Sequence, residues 1–161
     1  MDLSSLSDGA QTEKYSISIL DSLSKSWKLP GFFMIEYHLA EDIDFRVKEI
    51  LWKLKMTHID ETRLICLRSK GSGSRRVIAR CHGLSRIMQL ALNKKPHYII
   101  EVLSERFDQL NKEDQTKVLI HEILHIPHSF GGGFRSHKPF VTRVKVQKMY
   151  DQFTRDERIG G

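Results

Sequence analysis

The sequence predicts a single α+β domain, and three observations carry that prediction. An apolar stripe of helical period covers residues 41–56. Short apolar runs of strand length fall at 64–68, 77–81 and 98–103. A second amphipathic helix, with a capping residue at its start, begins after Asn111. The chain has 161 residues, of which 40% are hydrophobic and 29% charged, enough for one core without disulfide staples.

Residues 1–29 are Ser-rich and mildly acidic with little periodicity, so they read as a mobile N-terminal tail. The domain is expected over 30–161, starting near Leu29-Pro30-Gly31 where the composition changes. In 41–56, Ile43, Val47, Ile50, Leu51 and Leu54 share one helical face, with Phe45 and Trp52 beside it. The runs at 64–68 and 77–81 flank Ser69-Lys70-Gly71-Ser72-Gly73-Ser74 and read as a hairpin with a basic loop. That loop could cradle a phosphate, but it lacks the spacing of a nucleotide loop and leads into a strand.

Ser85 can cap a short helix on which Ile87, Met88 and Ala91 share a face with Leu84, a stripe that reads as core. Pro96 stops it, and 98–103 follows as a strand. Asn111 caps the next helix, whose first turn, Lys112-Glu113-Asp114, suits the positive helix end with its two acids. The core face of that helix is Val118, Leu119, Ile123 and Leu124. A last helix is expected over 140–153, resting on Val146, Met149, Tyr150 and Phe153.

The charge is +6 and unevenly placed. Residues 62–100 contain no Asp or Glu but include Arg63, Arg68, Lys70, Arg75, Arg76, Arg80, Arg86, Lys94 and Lys95. Residues 123–150 are also free of acids and carry Arg135, Lys138, Arg143, Lys145 and Lys148. Such a bias fits DNA or RNA as a partner, with Arg68, Lys70, Arg75 and Arg76 as candidate contacts. It fits a solvated basic face equally well. No apolar run approaches a membrane span, no leader of basic-then-apolar type is present, and Cys66 and Cys81 form no disulfide framework. A cytoplasmic protein with no membrane partner is expected.

The second helix runs into His121-Glu122-Ile123-Leu124-His125. Histidines at i and i+4 lie one turn apart on the same face, so both imidazoles can reach one Zn²⁺. Glu122 stands beside them, where it can take a proton from water at the metal. The competing reading is an exposed helix that merely carries two histidines. The capped start and the apolar opposite side weigh against it.

A catalytic zinc usually has three protein ligands, and His128, His137 and Asp151 are candidates for the third. Spacing favours His128 only if the helix continues, and Pro127 opposes that. Gly131-Gly132-Gly133 lets the chain double back, which favours His137 and leaves His128 as a rim residue able to donate to a substrate carbonyl. One Zn²⁺ per chain is expected.

The stretches ARCHGLSRIMQLAL, PHYIIEVLSERFDQL, HEILHIP and GGGFRSH together resemble a family of small archaeal and phage zinc metallopeptidases, which looks like a branch of the SprT-like zincins. The resemblance spans roughly residues 60–150. His137-Lys138-Pro139-Phe140 matches the third histidine and the aromatic of the SprT-like pattern but not its glycine, and the gap before it is shorter. The resemblance implies a compact zincin-like domain, with a small sheet packed on the first helix and the HExxH helix. The strand 98–103 would lie beside the latter, and an edge strand would hold an extended peptide. It further implies peptide hydrolysis, with protein substrates associated with nucleic acid. The alternative is a nucleic-acid-binding protein whose zinc site is structural or inactive.

Overall fold

The computed structural model describes residues 34–159, with side chains as far as Arg155; the expected tail at 1–29 lies outside the described residues. The fold is α+β. In chain order it comprises β1 (Glu36–Leu39), α1 (Glu41–Lys53), β2 (Leu64–Lys70), β3 (Ala79–Gly83), α2 (Arg86–Ala91), β4 (Tyr98–Leu103), α3 (Ser104–Phe107), α4 (Lys112–Leu124) and α5 (Arg143–Ile159). A single turn at His137–Phe140 precedes α5.

The four strands form one mixed sheet in the order β1-β2-β4-β3. β4 runs parallel to β2 and antiparallel to β3, so Cys66, Ile100 and Cys81 lie in one row. The expected hairpin between 64–68 and 77–81 is therefore wrong, because β4 lies between those two strands. Composition explains the outcome. Tyr98-Ile99-Ile100-Glu101-Val102-Leu103 is a nearly continuous apolar run, buried along almost its whole length, and such a strand belongs inside a sheet. The connection over residues 71–78 is long enough to carry the chain past its end. For the same reason β4 is not the edge beside α4; that place belongs to β3. β1 was not anticipated, since all four of its residues are exposed and give no alternating signal.

α1 buries Ile43, Val47, Ile50 and Leu51 as its period predicts, and leaves Phe45 and Trp52 in solvent. Its Arg46 donates to the Gln115 side chain at 2.7 Å and the Thr116 hydroxyl at 2.9 Å, pinning the first turn of α4. The Asn111 side chain accepts the Asp114 N–H at 2.8 Å, closing the N-cap. The Gln115 amide donates to the Phe107 and Leu110 carbonyls, both at 3.1 Å. Thus fixed, α4 lays Leu119, Ile120 and Ile123 into the core shared with Tyr98, Ile100 and Val102 of the sheet.

α2 departs most from expectation. Its apolar stripe is not core: Ile87, Met88, Leu90 and the following Leu92 all face solvent. The buried residue is Gln89, whose amide donates to the Leu84 carbonyl at 2.7 Å and the Gly131 carbonyl at 2.9 Å. Two backbone acceptors that would otherwise lack partners select a polar anchor over an apolar one.

Candidate metal centre

α4 ends at Leu124, and His125 is its cap residue, still at helical angles (φ −69, ψ −18). His125 therefore remains in phase with His121, and their Nε2 atoms are 3.3 Å apart. Two nitrogens at about 2.05 Å from a tetrahedral ion stand about 3.3 Å apart, so the spacing suits such an ion. The chain then passes Pro127 and the glycines and returns His137 to the same place. One ligand atom from each of His121, His125 and His137 lies within 4.8 Å of the others. The His137 ring is 5.3 Å from His121 and 4.8 Å from His125, centre to centre.

The return is held by backbone bonds. The Arg135 N–H donates to the His125 carbonyl at 2.8 Å, and His125 Nδ1 lies 2.6 Å from the Arg135 carbonyl. A proton on Nδ1 completes that bond and leaves Nε2 as the free lone pair, as ligand histidines require. Phe134 stacks on the His125 ring at 4.3 Å. The Tyr98 hydroxyl accepts the Gly132 N–H and donates to the Gly133 carbonyl, both at 2.8 Å. Gly132 has φ +87, and a Cβ there would collide with the Leu84 carbonyl and the Gln89 amide. Replacing Gly132 with Ala is expected to lower stability by about 3 kcal/mol and to weaken metal binding, because the displaced loop carries His137. Thermal unfolding with and without zinc measures both effects.

Glu122 is buried beside this cluster and lines the same cleft, of about 1110 Å³, between α4 and β3. Burial pushes its carboxyl up to about 7, opposed by the Cys81 N–H that points at it. That N–H is available because β3 is an edge. Ile78 and Leu84 bond to β4, so the intervening Ala79, Cys81 and Gly83 turn their N–H and C=O groups outward. Burial, with His125 and His137 adjacent, lowers His121 to about 4, and burial lowers His125 as well. Both rings are thus neutral near pH 7, the state in which imidazole binds a metal.

In metal-free protein these shifts oppose each other. Glu122 has a folded value above its unfolded one, so its contribution is fully present below about 4.5 and is lost as pH rises through about 7. His121 has a depressed value, so its contribution is present above 6.5 and is lost as pH falls towards about 4. Comparing metal-free wild type with Glu122→Gln cancels the histidine part. From about pH 8 to about pH 5 the wild type should gain about 2–3 kcal/mol on the variant, read from denaturant melts.

The remaining sequence candidates lie elsewhere. His128 packs its ring on His58 at 4.1 Å, and Asp151 is exposed and bonded to Gln147 at 2.8 Å. Neither belongs to the three-histidine group. Arg68 is held by Asp42 and Asp108, each at 2.6 Å, which leaves little charge for a phosphate. Lys70, Arg75 and Arg76 have no ion pair among the described residues, and Arg76 lines the cleft. The Arg135 carbonyl, the Cys81 N–H and the outer edge of β3 were missed, being backbone groups with no side-chain signature. Phe134 was missed too.

The residues present fit a metal ion: three imidazoles converge, one with its tautomer fixed by a carbonyl. No curated protein and no solved structure matches the chain. A profile of the family described as "Putative phage metallopeptidase" matches residues 35–154, most of the sequence and nearly all of the described domain. The chain belongs to that metallopeptidase family.

Proposed function

We propose that the protein is a zinc-dependent peptidase of HExxH type, with one Zn²⁺ per chain held by His121, His125 and His137. The observation that carries this reading is the convergence of the three histidines beside a buried glutamate in an open cleft. Zinc bound there would polarise the scissile carbonyl and make water acidic enough to deprotonate near neutral pH. Glu122 takes the proton from the attacking water, and its burial makes it a stronger base than an exposed carboxylate. The outward N–H and C=O groups of Ala79 and Gly83 pair with an extended substrate, which places its backbone along the cleft. His125 stays oriented through the Arg135 carbonyl. The SprT-like kinship and nucleic-acid-associated substrates are part of the proposal; they rest on the motif and on Lys70, Arg75 and Arg76. The described residues include no helix long and apolar enough to cross a membrane.

The test is hydrolysis of a fluorescently labelled unfolded protein. Activity should vanish on chelation and return on adding zinc. Equal hydrolysis before and after chelation would end the zinc reading.

A further inference from the structure

Against the expectation of no membrane partner, we propose that α2 is a docking element for an anionic lipid surface. A helix on the surface normally turns its apolar residues inward. Here Ile87 is 75% exposed, Leu90 67%, Leu92 56% and Met88 49%, while Gln89 alone is buried at 4%. The helix is fastened to the body through a polar residue and presents its apolar side chains outward. Scattered exposed leucines need no explanation, but four large apolar side chains within six positions form a patch.

The two stretches that meet at α2 carry charge of one sign. Gln89 joins residues 62–100 to residues 123–150 through the Gly131 carbonyl, and neither stretch contains an acid. Arg86, Lys94 and Lys95 flank the apolar residues, are exposed, and have no ion pair among the described residues. An apolar tip inside a cationic collar matches a bilayer interface with anionic headgroups: the tip enters the acyl boundary and the cations stay among the phosphates.

Size separates this occupant from a folded protein. The patch has four large apolar side chains, whereas a stable protein interface takes roughly 20–30 residues from each partner. Nucleic acid fits less well, since a phosphate-reading face puts donors at its centre, not Ile87 and Leu90. α2 begins three residues after the Gly83 end of β3, so docking would bring that end of the cleft to the lipid surface. No helix among the described residues is long and apolar enough to cross a membrane.

The test is co-sedimentation of the zinc-loaded full-length protein with vesicles of phosphatidylcholine alone or enriched in phosphatidylglycerol. Binding to the anionic vesicles should exceed binding to the neutral ones by about tenfold or more and should fall with salt. Ile87→Ser with Leu90→Ser should abolish it without changing zinc content or melting temperature, as both side chains are exposed. Arg86→Gln with Lys94→Gln and Lys95→Gln should remove the preference for anionic lipid. Wild type left in the supernatant with both vesicle types would overturn the proposal. So would a serine variant that binds as well as wild type, or binding to duplex DNA without binding to vesicles.

Discussion

Replacing Glu122 with Gln is expected to reduce hydrolysis by roughly two to four orders of magnitude while zinc stays bound. Glutamine is nearly isosteric with glutamate, and Glu122 is not one of the three grouped histidine ligands, so neither packing nor ligation requires its charge. What the amide cannot do is accept a proton. The effect should fall on kcat and kcat/KM together, as expected of a group that acts in the transition state and not in substrate binding. Single-turnover kinetics on zinc-loaded protein reads it. Loss of zinc in the variant would make Glu122 a ligand, and unchanged hydrolysis would remove it from the reaction.

The second large effect separates two histidines that the sequence offers for the same role. His137→Ala should weaken zinc binding well beyond the roughly 10–100-fold that follows loss of an outer-shell partner. His128→Ala should leave zinc in place, since its ring packs on His58 and lies outside the histidine cluster. Competition with a zinc-binding dye compares them. Comparable affinity losses in the two variants would contradict the assignment.

How legible these features were depends on how local they are. His121 and His125 are placed by helical period alone, and the cap at Asn111 could be read three residues ahead of its Asp114 partner. His137 needed one more inference, that Pro127 stops the helix and the glycines turn the chain, and the structure brings it to the other two. Strand order could not be read this way. Leu64–Lys70 and Ala79–Gly83 are neighbours in the chain, yet each pairs with Tyr98–Leu103, whose apolar content claims the interior.

α2 shows a different limit. The periodicity of Ile87, Met88 and Ala91 defines a face but not which side of it meets the protein. That follows two carbonyls, at Leu84 and Gly131, to which the Gln89 amide donates. Arg68 shows the same for charge: the sequence marks a cation in an acid-free stretch, and Asp42 and Asp108 reach it from distant positions.

The most direct measurement is anomalous diffraction at the zinc edge from crystals of the zinc-loaded full-length protein. One peak per chain should lie about 2.0–2.1 Å from Nε2 of His121, Nε2 of His125 and a ring nitrogen of His137, with Glu122 in the cleft but not coordinating. Absence of a peak, or a peak ligated by His128 or Asp151 with His137 turned to solvent, would contradict the account.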